Sequence, residues 1–68
     1  MQEHIELEVS LEIIMAEIAN KMILLSNTKN VSDKKAIKEE LDKLIILQEN
    51  AYKGNRKAIK QILNREFV

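Results

Sequence analysis

Not one proline occurs in this 68-residue chain, and its single glycine is Gly54. Proline and glycine are the residues that most readily end helices and close tight turns, so a chain nearly free of them favours a few long helices over many short strands. The apolar spacing agrees. Leu7, Leu11, Ile14, Ile18, Met22 and Leu25 recur three or four residues apart, the one-face spacing of a 3.6-residue helix. This predicts a first helix from about Glu3 to Ser26. A second stripe, Ile5, Val9, Ile13, Ala16 and Ile23, flanks the first and makes the apolar arc wider than one neighbouring helix can cover.

The segment Ser26-Asn27-Thr28-Lys29-Asn30 is polar and without apolar period, and Ser32 before Asp33 has the form of an N-cap with an acid in the first turn. The turn is therefore expected over 27–32 and the second helix from about Asp33. From there Ile37, Leu41, Leu44, Gln48, Ala51, Asn55, Ala58 and Ile62 alternate steps of four and three, a heptad pattern. A turn this short makes the two helices antiparallel neighbours. The fold class expected is all-α, with residues 1–68 forming a single helical-hairpin domain. Gln48 and Asn55 interrupt the seam. They are expected to fix its register by hydrogen bonding, with contact between Gln48 and a partner as the other reading.

Unbroken to Glu66, helix 2 would span roughly 51 Å against roughly 36 Å for helix 1 at 1.5 Å per residue. The continuous helix is the expectation. Gly54-Asn55, a C′ glycine followed by an N-cap asparagine, is where it would break instead. In both cases Ala58, Ile59, Ile62, Leu63 and Phe67 need cover, and so does the wide arc of helix 1. Together they point to a homodimer, a four-helix bundle made from two hairpins.

With no cysteine, disulfides and thiolate metal sites are excluded. The longest apolar run, Met22 to Leu25, is far too short to span a bilayer, and the first residues are acidic where a signal peptide is basic, which points to a cytoplasmic protein with no membrane partner. Charge divides between the halves. Residues 1–28 carry five glutamates against Lys21 alone, net −4, while residues 29–68 carry ten Lys or Arg against six acids, net +4. The tail residues Lys53, Arg56, Lys57, Lys60 and Arg65 have the form of a phosphate-binding strip, but an antiparallel hairpin sets them beside Glu3, Glu6 and Glu8. With Tyr52 alone positioned to stack on bases, the chain argues against nucleic acid as its partner, and a small dimeric RNA-binding bundle ranks third among the readings.

His4 and Glu8 have the i, i+4 spacing of a metal pair, yet two ligands near a terminus read as solvated residues, so no metal site is expected. Met15 and Met22 are expected as gap-filling core residues. No glycine-rich phosphate loop and no Ser-His-Asp or Cys-His set occurs. Any catalysis must then come from carboxylates or amides on a helix face. The stretch Lys38-Glu39-Glu40-Leu41-Asp42-Lys43-Leu44-Ile45 is the place to look. Leu41, Leu44 and Ile45 are expected to face inward, while Glu39, Asp42 and Lys43 project outward, the two acids three apart on one patch. The bland reading is a solvated face supported by a Glu39–Lys43 pair.

Glu-Leu-Asp-Lys-Leu-Ile early in a second helix resembles the small helical-hairpin aspartyl-phosphate phosphatases of sporulation phosphorelays in Bacillus-type bacteria. Their signature is Ser-Gln-Glu-Leu-Asp; here Glu40, Leu41 and Asp42 match, whereas Lys38 and Glu39 stand in place of Ser and Gln. Ile18 to Met22 is similar to the family's first helix, and the resemblance covers roughly residues 14–48. The turn is about two residues shorter than the family's and the tail after Glu49 is longer. The resemblance implies a protein that docks on a response regulator and dephosphorylates it. Asp42 would be the carried-over catalytic residue, Glu39 would replace the family's Gln as water acceptor, and Lys38, Glu40 and Lys43 would meet the partner. It implies no cofactor of the chain's own, since Mg²⁺ belongs to the regulator. The alternative is a non-catalytic interaction protein, such as a phage, plasmid or signalling inhibitor, whose helix 2 occludes its partner.

Overall fold

The computed structural model describes the backbone of residues 2–67 and the side chains of residues 4–67. Three helices carry it: α1 (Gln2–Asn27), α2 (Val31–Tyr52) and α3 (Arg56–Leu63). The protein is all-α, with no strand among the described residues.

α1 and α2 are joined by residues 28–30 alone. The Thr28 hydroxyl donates to the Leu24 carbonyl at 2.6 Å and its amide to the Leu25 carbonyl at 3.2 Å, which satisfies two of the carbonyls that a helix end leaves open. On the other side of the gap Asn30 has extended backbone, and its Oδ1 accepts from the Asp33 amide at 3.2 Å. The N-cap expected at Ser32 is therefore Asn30, two residues earlier. Asparagine caps as well as serine does, and the earlier start still keeps Asp33 in the first turn, beside the positive end of the helix.

The continuous second helix expected from about 33 to 66 is instead two helices. α2 ends at Tyr52, with Lys53 as its C-cap. Gly54 follows at φ 84, a conformation open to glycine at no steric cost. Its amide donates to the Ala51 carbonyl at 2.9 Å, and the Asn55 amide donates to the Asn50 carbonyl at 3.1 Å, the bond pair of a Schellman motif. Asn55 then caps α3, its Oδ1 accepting from the amides of Lys57 at 3.0 Å and Ala58 at 3.2 Å. The role expected for Asn55, fixing register across a seam, is thus replaced by a local one: it closes one helix and opens the next. α3 ends on the same bond pair, Arg65 amide to Ile62 carbonyl at 2.9 Å and Glu66 amide to Gln61 carbonyl at 3.0 Å, with Arg65 taking the left-handed position at φ 54.

The turn sends α3 back against both longer helices. Ile59 and Ile62 are buried with Ile14, Leu44 and Ala51 in one cluster, against which Leu7, Leu11, Leu47 and Phe67 pack. Fully burying an isoleucine side chain stabilises by about 1.5–3 kcal/mol, which is what holds an eight-residue helix too short to persist alone. The apolar tail therefore finds its cover in its own hairpin. Ser10 is also fully buried, and its hydroxyl donates to the Leu7 carbonyl at 2.7 Å, so the small polar group is satisfied within its helix. The molecule is a rod of 45 × 17 × 15 Å, its length set by the 26 residues of α1.

Cover is not complete. Ile5, Val9 and Ile23, the flanking stripe of α1, stay exposed, while Ile13 packs against the core. Met15 and Met22, expected in the core, are each 56 % exposed. Met15 follows the buried Ile14 and is rotated 100° from it, onto a side that no α3 residue lines.

Because nothing lies within 4 Å of a Cβ built on Gly54, alanine there meets backbone strain alone. Gly54→Ala is expected to destabilise the fold by about 1 kcal/mol, and Asn55→Ala by about the same through loss of the cap. Arg65→Gly should instead leave stability unchanged or raise it by about 0.5 kcal/mol, since it relieves a left-handed non-glycine residue. Urea unfolding followed by circular dichroism at 222 nm measures all three. Equal stability of wild type and Gly54→Ala would mean that the turn is not held as described.

Candidate functional site

The motif stretch lies in the middle of α2, where buried Leu44 binds the helix to the core and Leu41 is half-buried. Helical geometry then sends the intervening residues outward. Lys38, Glu39, Asp42 and Lys43 are all exposed. Glu39 and Asp42, three residues apart, are neighbours on this open face. Ile45, expected to face inward, is 37 % exposed, because its position is rotated 100° from Leu44 and falls at the rim of the α1–α2 contact.

Glu40 is placed differently from its neighbours. It is half-buried, and its Oε2 accepts from Lys21 Nζ of α1 at 2.8 Å. This hydrogen bond holds the Lys21 ammonium above the usual lysine range. Partial burial acts the other way, and the charges of Glu40 and Glu17 add to the upward shift. Glu40 thus ties α2 to α1 across the hairpin. Sequence spacing could not show this, since the partner is nineteen residues away.

The other ion pair among the described residues is Arg56 with Glu6, a long 3.4 Å contact between partly exposed groups. The expected Glu39–Lys43 pair is not formed. The complementary charges of tail and α1 therefore meet in one place, while Glu8, Lys57 and Lys60 stay exposed, and the side chain of Glu3 lies outside the described residues. No third His, Cys, Asp or Glu joins His4 and Glu8 in a metal-holding group among the described residues. No helix among them is long and apolar enough to cross a membrane.

Two grooves border the α2 face. One, of about 230 Å³, is lined by Lys43, Leu44, Ile46, Leu47, Asn50, Gln61 and Phe67, and brings the C-terminal segment alongside the motif helix. The other, of about 450 Å³, is lined by Met15, Ile18, Ala19, Met22, Ile45 and Gln48. Gln48 is half-buried at its wall, in contact range of anything seated there. The first groove depends on α3 folding back, which the expectation of one long helix concealed, whereas the second is lined by α1 and α2 alone. Both are shallow and open, and neither surrounds Asp42.

Searches against protein-family models, curated proteins and solved structures found no match to this chain.

Lys21→Met keeps the aliphatic stem and removes the ion pair, and should cost about 0.5–1 kcal/mol at neutral pH, the range of a partly exposed salt bridge. The pH dependence has a definite sign. A lysine pKa raised by folding contributes stability that is complete below the unfolded-state pKa and lost as pH climbs through the folded value. Wild type and Lys21→Met should therefore differ at pH 7 and converge as pH rises past the ordinary lysine range, as read from urea midpoints. A difference that grows with alkaline pH would contradict the assignment.

Proposed function

We propose that the protein is a small regulatory module that lays the outer face of α2 on a response regulator and promotes hydrolysis of its aspartyl phosphate, so damping a phosphorelay. The observation that carries this reading is the placement of Asp42: exposed on a packed helix, within the Glu-Leu-Asp sequence that the phosphatase family shares. An exposed carboxylate on a rigid helix suits a reaction whose substrate is already held elsewhere. The regulator supplies the phosphoaspartate, Mg²⁺ and a lysine, and the missing element is a group that orients water in line with the scissile bond. Asp42 accepts the water's hydrogen bond and then its proton. The water oxygen bonds to phosphorus, the bond from phosphorus to the aspartyl oxygen breaks, and inorganic phosphate leaves. Glu39 offers a second acceptor one turn earlier, and Lys38 and Lys43 flank the pair with positive charge suited to the phosphoryl group. Glu40, engaged with Lys21, acts as a positioning residue in this reading and not as a contact to the partner.

A second reading is favoured by Lys38 and Glu39 themselves. Lys38 keeps a positive charge for docking, but Glu39, in the place of the family's Gln, sets a second carboxylate against the phosphoryl group and so disfavours the close approach that hydrolysis needs. The module would then occlude its partner without catalysis. In either reading the working form is a homodimer in which the exposed apolar side of the α1–α2 hairpin meets that of a second copy, four longer helices forming the bundle and α3 lying outside it. Exposure of Met15, Met22 and Ile45 supports this association.

Asp42→Asn should leave helix content and oligomeric state unchanged while lowering the dephosphorylation rate about 100-fold, whereas Glu39→Gln should raise it by removing a repulsive charge. The measurement is decay of a response regulator phosphorylated with acetyl phosphate, in Mg²⁺, with each protein and with none. If a regulator that binds the wild-type protein decays equally in all four samples, the catalytic reading fails and the occluding one stands.

A further inference from the structure

Glu8, Met15, Met22 and Lys29 lie seven residues apart in sequence, and all four are exposed. Seven residues are close to two helical turns, so Glu8, Met15 and Met22 form one column along α1, and Lys29 stands two residues beyond the helix end. The middle of the column is the wall of the 450 Å³ groove, where Ala19 leaves the surface low and Ile45 of α2 forms the opposite rim; no α3 residue lines it. Read from either end, the order is charge, methionine, methionine, opposite charge. It is palindromic in shape and complementary in charge about a point midway between Ile18 and Ala19.

We propose that this column is the interface with a second copy of the chain, packed antiparallel about a two-fold axis through that midpoint. The inference rests on the homodimer reading above and deepens it by assigning the face, the direction and the register. Across such an axis Met15 faces Met22 of the second copy, Ile18 faces its Ala19, and Glu8 faces its Lys29. An isologous contact requires self-complementarity of this kind. Ala19 at the centre allows the two α1 helices to approach to about 8–10 Å, and methionine adapts to the remaining gaps. Charge selects the direction. A parallel pairing in register sets Glu8 against Glu8 and Lys29 against Lys29, while the antiparallel one makes two opposite-charge pairs.

The chain has no cysteine, which makes the test direct. In the antiparallel dimer, Met15→Cys in one chain comes opposite Met22→Cys in the other, while two copies of either single variant hold their thiols about 10 Å apart, beyond the roughly 7 Å limit between the Cα atoms of a disulfide. An equimolar mixture in glutathione redox buffer should therefore give the mixed disulfide dimer as the main product, and each variant alone should stay reduced. Glu8→Lys or Lys29→Glu should each raise the dimer dissociation constant about fivefold, as read by sedimentation equilibrium, and the two combined in one chain should restore it. Crosslinking of each single variant with itself would overturn the direction. A wild-type dimer with no crosslink in any combination would overturn the face and leave the homodimer reading intact. A wild-type monomer at micromolar concentration would remove both and return the groove to an unrelated partner.

Discussion

The packing of Ile59 and Ile62 onto Ile14, Leu44 and Ala51 is the contact on which the rest of the molecule depends. Two amphipathic helices joined by three residues share only a narrow seam, and a chain this short buries too small a fraction of its surface to be comfortable with that alone. Folding α3 back turns the seam into a core with a third wall. The helix that does this is eight residues long and has little stability of its own, so its structure and the core's completeness depend on each other. Gly54 and Asn55 make the return possible within three residues, because one accepts the left-handed backbone and the other both closes α2 and caps α3.

Placing α3 also decides what every other face is free to do. It covers one side of the hairpin, so the tail's apolar residues no longer call for a second chain. The uncovered side keeps Met15, Met22 and Ile45 in solvent beside a shallow groove, an apolar surface of the kind that marks association sites. The outer face of α2 is left charged, with Asp42 and Glu39 projecting from a helix anchored by Leu44 below and by the Lys21–Glu40 pair at the side. Two neighbouring glutamates thereby acquire different roles. Glu40 points along the hairpin contact and is consumed by Lys21, whereas Glu39, rotated 100° from it, stays available to a partner.

Several features are legible in the sequence. The three-and-four spacing of Leu7, Leu11, Ile14 and Ile18 located α1 to within a residue or two, and the seven-residue repeat of Ile37, Leu44, Ala51 and Ala58 picked out positions that are all buried. The outward placement of Glu39, Asp42 and Lys43 followed from the same periodicity. Other features were not. Asn30 and Ser32 are both good caps, and only the bond from the Asp33 amide to Asn30 Oδ1 shows which one the chain uses. The four-and-three stepping ran on through residue 55, with Gln48 and Asn55 as polar interruptions, so the pattern favoured one long helix. A single glycine followed by asparagine was the sole signal to the contrary, and it prevailed because a returning helix buries Ile59 and Ile62, which an overhanging helix would leave in water.

Sequence alone therefore determined the class of structure and the sidedness of each helix, since apolar period, the absence of proline and the position of the one glycine are local properties of the chain. It also determined which residues could carry chemistry, by containing so few candidates. Tertiary structure alone decided where α2 stops, which apolar side chains become core and which remain surface, and that Glu40 pairs with Lys21 while Asp42 stays free. The reason is one of geometry: a helical period states which residues share a face, but what that face meets depends on the path of the rest of the chain, and here that path turns on two residues whose effect is felt along the whole hairpin.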